Sequence, residues 1–206
     1  KNFIIKPNTK QYEKLHMFIA LIQKMDNDFS FEELLELFEF VISPADKLVN
    51  GAIYTPKEIR EYITLQVFQE YCAKDISEVR VSDIACGCGG FLINASEQIK
   101  HKTGKKYRDI FKENIFGLDI QPYSVERTKI LLSLFAIYHG EDEEEFSFNI
   151  YLGNSLSFNW KEQDPQIKEN EGFDIILGNP PYVCSRNMND WTKETLYAWS
   201  VCSTGH

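Results

Sequence analysis

The spacing of apolar residues changes character near residue 79. Before it, apolar positions recur at helical intervals, with Leu15, Phe18, Ile19, Ile22 and Met25 forming one stripe. Ser30-Phe31-Glu32-Glu33 has the form of a capping box, in which a hydroxyl and a carboxylate three residues apart bond each other's backbone amides. Leu34, Leu35, Leu37, Phe38 and Val41 carry that helix forward, and Ser43-Pro44 ends it. Thr55-Pro56-Lys57-Glu58 predicts a second capping box, with proline at the first helical position, for a helix through Ile59, Ile63, Val67 and Tyr71. Residues 1–50 therefore read as a helical N-terminal extension with one apolar side that must cover something, and without recognisable chemistry.

After residue 79 short apolar runs alternate with longer helical stretches. The pattern predicts strands over Val79 to Ala85, Ile115 to Ile120, Phe146 to Leu152 and Phe173 to Leu177. It predicts helices from the glycine-rich loop to about Lys102 and from Pro122 to His139, and room for about one more after Val183. Strands alternating with helices imply an α/β fold with a doubly wound, mostly parallel sheet and right-handed crossovers. Residues 51–206 are expected to form that domain.

Composition narrows the class. A chain of 206 residues with 43% hydrophobic and 26% charged residues has the make-up of a globular protein. No apolar stretch is long enough to cross a bilayer, and residues 1–25 lack a signal-peptide pattern, so no membrane partner is expected. Cys72, Cys86, Cys88, Cys184 and Cys202 form no CxxC pair and no zinc spacing, which implies reduced thiols, a cytoplasmic protein and no metal site. The net charge of −9 disfavours DNA binding by the chain as a whole. The run Glu141-Asp142-Glu143-Glu144-Glu145 and the basic cluster Lys100 to Arg108 both read as solvated loops.

The most informative residues are Asn179-Pro180-Pro181-Tyr182, just past the last predicted strand. Ligands of open α/β sheets bind at the carboxyl ends of the strands. An amide or aromatic amine is a poor nucleophile because its lone pair is delocalised. An Asn oxygen and a fixed backbone carbonyl can accept both N–H bonds of such an amine and favour a tetrahedral nitrogen with a localised lone pair. Two prolines fix φ and aim the Pro180 carbonyl, and Tyr182 offers a ring for a planar substrate. Pro-Pro alone marks an ordinary turn; it is the Asn and the aromatic around it, after an apolar strand, that add chemistry.

Upstream, Gly87, Gly89 and Gly90 let backbone approach a ligand at a helix start. Leu92 stands where a dinucleotide fingerprint needs glycine, which disfavours a pyrophosphate. Asp83 can meet a cationic ligand, and Asp119 can accept bonds from two ribose hydroxyls; either could equally be a cap or a turn residue.

In this order the residues resemble the adenine-specific DNA methyltransferases of bacterial restriction–modification systems, which use S-adenosylmethionine. The resemblance covers about residues 51–206. Gly51-Ala52-Ile53-Tyr54-Thr55-Pro56 is similar to the motif before the fold, whose Tyr54, Thr55 and Pro56 the resemblance places by the methionine end of the cofactor. Asp83 to Leu92 is similar to the cofactor loop, implying contacts from Asp83, Ala85, Cys86, Gly87, Gly89 and Phe91. Asp119 and Ile120 correspond to the ribose-binding strand end, and Asn154 and Ser155 to the segment beside the adenine. Asn179, Pro180, Pro181 and Tyr182 correspond to the catalytic motif, with Asn179 also facing the cofactor. Ile84, Cys88 and Asn154 depart from the usual Pro, Ser and Asp, and Asn154 implies weaker cofactor binding.

The resemblance implies a Rossmann-like class I methyltransferase domain, incomplete here, that methylates the N6 amine of adenine in double-stranded DNA. Such enzymes have further strands and a target-recognition region after the catalytic motif, so the chain reads as a fragment whose main DNA-gripping part is missing. Restriction or specificity subunits are the other partners it implies. A protein glutamine amide or an RNA base presents the same amine, and a catalytically silent cofactor-binding or assembly module is the remaining reading. Tyr54-Thr55-Pro56 favours the DNA group.

Overall fold

The computed structural model describes residues 17, 30–40, 54–72, 75–141, 145–169, 171–182 and 188–198. Four strands, β1 (Val81–Asp83), β2 (Ile115–Asp119), β3 (Asn149–Leu152) and β4 (Ile175–Ile176), form one parallel sheet in the order β3-β2-β1-β4. The chain thus builds outwards from β1 to one side, then returns to the other side for β4. Such a reversal opens a crevice at the carboxyl ends of the strands, where ligands of these folds bind.

Alternation along β2 shows how the sheet is covered. Gly117 faces the helix α3 (Gly90–Thr103): a Cβ there would lie 3.0 Å from Leu92 Cδ1 and 3.3 Å from Cys86 Sγ. Phe116 and Leu118 point to the opposite face and are fully buried. There Phe173 meets Phe116 at 5.5 Å between centroids, and Trp160 meets Phe173 at 4.8 Å. Apolar residues on both faces are the signature of a parallel strand between two layers.

Helices α1 (Phe31–Phe40), α2 (Lys57–Glu70), α4 (Tyr107–Glu113) and α5 (Pro122–Tyr138) complete the α3 side. Two short helices, α6 (Trp160–Gln163) and α7 (Pro165–Glu169), lie between β3 and β4, and α8 (Asp190–Tyr197) follows β4. The apolar side of α1 covers α5: Leu35 is fully buried and Phe31 sits edge-on to Phe135 at 4.9 Å. Its capping box forms, with Ser30 N donating to Glu33 Oε2 at 2.7 Å and Glu33 N to Ser30 Oγ at 3.3 Å.

Several expectations need correction. No capping box forms at Thr55: Pro56 is the N-cap, with ψ of 147° and no side-chain bond, and α2 starts at Lys57. The Thr55 carbonyl instead accepts Arg60 Nη1 at 3.2 Å. The strands are shorter than their apolar runs. Val79 closes a 3-10 turn onto the Ile76 carbonyl, and Phe146 and Phe148 pack on Phe111 rather than pairing.

Neither charge run behaves wholly as a solvated loop. Lys100 ion-pairs Glu141 at 2.8 Å and lies over the Tyr107 ring, while Lys105 Nζ donates to Glu113, Asn114 and the Ser77 carbonyl. Glu141 also accepts the Tyr107 and Arg108 amides at the start of α4. Burial opposes ionisation of Glu141, but these bonds outweigh it and hold its carboxyl below the usual range. The predicted stripe of Leu15, Phe18, Ile19, Ile22 and Met25 lies outside the described residues. Val41, Ser43-Pro44, Gly51 to Ile53, Asp142 to Glu144, Val183 to Asn187, Cys184 and Cys202 also lie outside them.

Candidate active site

A cleft of about 570 Å³ opens at the carboxyl ends of the four strands. Asp83, Asp119, Asn154 and Asn179 line it, each just beyond or at the end of a different strand. The strand order sets them out along the cleft as Asn154, Asp119, Asp83 and Asn179, from β3 to β4. Three interstrand spacings make that row roughly 14 Å long.

The turn after β1 is built by glycine and held from behind. Gly87 has φ of +56°, and a Cβ there would lie 3.1 Å from the Tyr54 ring. Cys86 N continues the sheet bonding to the Leu118 carbonyl at 2.9 Å, and Gly89 N closes the turn on the Cys86 carbonyl at 2.7 Å. Thr128 on α5 donates to the Gly87 carbonyl at 2.9 Å. The Cys86 thiol is pushed well up by burial and by Asp83 and Asp119, and the Cys88 thiol is pushed up to about 11, chiefly by burial. Both are therefore packing groups rather than thiolates.

Asp119 is oriented from both sides. Its Oδ2 accepts Gly87 N at 2.9 Å and its Oδ1 accepts Gln121 N at 2.8 Å. Burial raises its pKa against those two amides and the Ser124 hydroxyl, which favour the charged form. With these three donors bound, the carboxylate keeps about one further acceptor position for a ligand. Asp83 is 3% exposed, and burial raises its carboxyl to about 7, opposed by the Ala85 amide and assisted by the charge of Asp119.

The turn after β4 leans on Asp83. Leu177 N donates to the Ser82 carbonyl at 2.8 Å, so pairing with β1 runs to the last residue before the turn. Gly178 then takes φ of +152°, and a Cβ there would lie 2.6 Å from Asp83 Oδ1. Only glycine fits that approach. Asn179, Pro180, Pro181 and Tyr182 follow along the cleft wall, with Tyr182 79% exposed.

Asn154 Oδ1 accepts Leu156 N at 3.0 Å, which ties down the turn after β3 and leaves one amide lone pair for a ligand. Tyr54, Thr55, Ala85, Cys86, Phe91, Ile120 and Ser155 also line the cleft. Pro56 and Gly89 do not: Pro56 caps α2 and Gly89 caps α3, backed by Thr128. Sequence reasoning missed Arg60 and Glu39, which line the cleft from α2 and α1. Arg60, 3% exposed, donates to Asn94 Oδ1 at 2.6 Å and to both Glu32 oxygens at 2.8 Å, and its stem packs on Gly90. The sequence carried no signal for Arg60: it shares the buried face of α2 with Thr64 and Phe68, whereas Ile59 and Ile63 of the predicted stripe are exposed.

Parallel order β3-β2-β1-β4, a glycine turn after β1 and an acid ending β2 define a Rossmann-like methyltransferase fold. Residues 113–205 match the Eco57I restriction-modification methylase family. Over 78% of its length it is 28% identical to the type II restriction enzyme and methyltransferase RM.Eco57I of Escherichia coli. Over 76% it is 31% identical to the type II methyltransferase M.VspI of Vibrio sp. (strain 343). It spans 21% and 31% of those two proteins. The structure of a DrdV–DNA complex shares the fold at a TM-score of 0.58 and 19% identity, over 89% of this chain and 20% of that one. The DNA-bound type ISP restriction-modification enzyme LlaBIII does so at 0.57 and 17%, over 84% of this chain and 14% of that one.

Proposed function

We propose that this chain is the methyl-transferring part of a restriction–modification enzyme, moving a methyl group from S-adenosylmethionine to the N6 amine of adenine in DNA. One observation carries the reading: Asn179-Pro180-Pro181-Tyr182, Asp83 and Asp119 come from three different strands and line one cleft. The residues fit the cofactor. The cleft volume is that of a small-molecule site. Asp119 is pre-oriented for a ribose hydroxyl by two backbone amides, and Gly87 leaves open a space that a side chain would contest with Tyr54.

In this reading Asn154, Ser155 and Ile120 hold the adenine, Asp119 the ribose, and Tyr54, Thr55 and the Ala85 to Gly87 turn the rest. Bound S-adenosylmethionine would supply a methyl group on a sulfonium, an electrophile with a neutral leaving group. Asp83, under the middle of the row, is the carboxylate nearest to where positive charge would lie. Asn179 Oδ1 and the Pro180 carbonyl accept the two N–H bonds of the target amine and localise its lone pair. Tyr182 stacks on the base once it leaves the duplex. Catalysis by these residues is positioning rather than acid–base chemistry.

The test uses the protein that carries this chain, with a tritiated methyl donor offered to duplexes with and without adenine, to RNA and to protein extract. Label should enter adenine-containing DNA alone. Asn179→Ala should cut that rate on the order of a hundredfold or more, by loss of a pre-organised contact, with donor affinity held within about twofold. Label in RNA or in a glutamine amide, or a near-unchanged Asn179→Ala rate, overturns the assignment.

A further inference from the structure

We infer that Glu39, on the helix before the sheet, is a cofactor-binding residue that holds the α-ammonium at the amino-acid end of S-adenosylmethionine. The inference rests on the cofactor reading above and names a contact that reading leaves unassigned. Glu39 lines the cleft although it lies fifteen positions before Tyr54 in sequence, outside the expected catalytic domain. Its charge is felt by the Tyr54 hydroxyl and the Cys88 thiol, and Cys88 Sγ lies 3.8 Å from Tyr54 Oη. Glu39 therefore shares the cleft wall with Tyr54 and Cys88, beside the β1 turn.

That is where the amino-acid end must go. Asp119 on β2 is built for the ribose and Asn179 on β4 for the target amine, so the sulfur lies between them over β1. The third arm of the sulfur leaves from there towards Tyr54 and Cys88. An ammonium needs acceptor oxygens, and the cleft offers three carboxylates. Asp119 is held by Gly87 N and Gln121 N. Asp83 is almost wholly buried beneath Gly178, too deep for a strongly hydrated ion. Glu39 is half-buried on the cleft wall, and a carboxylate has room for an ammonium beside its protein contacts.

The helix that carries Glu39 is anchored well enough to aim it. Glu32, two turns earlier on the same face, is bidentate to Arg60 at 2.8 Å. Leu35, one turn earlier, is fully buried, and the Phe38 carbonyl accepts Arg127 Nη1 at 3.4 Å.

Calorimetry on the protein carrying this chain tests the idea with two ligands. S-adenosylhomocysteine has the α-ammonium; 5′-methylthioadenosine lacks the whole amino-acid end. Glu39→Gln should weaken the first about tenfold, the worth of one charge-assisted bond, and leave the second unchanged. Glu36→Gln, an exposed carboxylate on the same helix, should change neither. Unchanged S-adenosylhomocysteine affinity overturns the inference, and so does an equal loss for both ligands, which marks a structural role. If the unaltered protein binds neither, the cofactor reading itself has failed.

Discussion

Among the described carboxylates, Asp83 departs furthest from ordinary behaviour. Its folded pKa rises from 3.8 to about 7 because burial penalises the charge. The native state thus holds a proton that the unfolded chain has released. The stability this contributes is complete below the ordinary value and is lost as pH rises through about 7. Asp83→Asn keeps an oxygen for the Ala85 amide and removes the titration. Urea denaturation should show the variant gaining on the parent between pH 5 and pH 8, by at most roughly 3 kcal/mol. A constant difference across that range would refute the assignment. Gly178 makes a second residue-scale case. Gly178→Ala drives a methyl towards Asp83 Oδ1 at a backbone angle that side chains rarely adopt. It should cost roughly 1–3 kcal/mol and methylation with it, measured by denaturation and by label transfer.

At the scale of elements, Arg60 joins three segments. Its guanidinium bonds α1 through Glu32, α3 through Asn94 and the chain before α2 through the Thr55 carbonyl. Arg60→Met keeps most of the stem and strands the partners, so it should destabilise by about 3 kcal/mol. Glu32→Gln should cost less, because Glu32 is partly exposed, and a double-mutant cycle by denaturant midpoint should show the two coupled. This tether explains what was legible in sequence and what was not. The stripe of α1 announced a helix with something to cover, but its partner α5 lies some hundred residues on. The strands were legible as apolar runs, yet their lengths were set by pairing partners invisible locally. The helix α4 was lost inside a charge run, since Lys100 and Lys105 look solvated until Glu141 and Glu113 are brought to them.

The whole molecule places its site by topology. Local patterning yields strands and helices; the order β3-β2-β1-β4 is set by a single reversal of the chain across the sheet. That order brings together Asp83, Asp119, Asn154 and Asn179, so most of the cleft could be named in advance from strand ends. Glu39 and Arg60 could not, because they reach the cleft from helices outside the sheet. A ligand filling a cleft shared by so many segments should steady them all. S-adenosylmethionine at a hundred times its dissociation constant should add about 2.7 kcal/mol to unfolding, read from a denaturant midpoint. No shift at saturating ligand would count against the site.

In the proposed reading, the reversal between β1 and β4 also separates donor from acceptor by their order along the chain. The glycine turn and Asp119 hang from the strands laid down first, whereas Asn179 to Tyr182 hang from the last, across the sheet's turning point. The two halves touch at Gly178 against Asp83. Grafting residues 179–198 from a relative, with Gly178 retained, should therefore exchange the base that is gripped without retuning the grip on the methyl source.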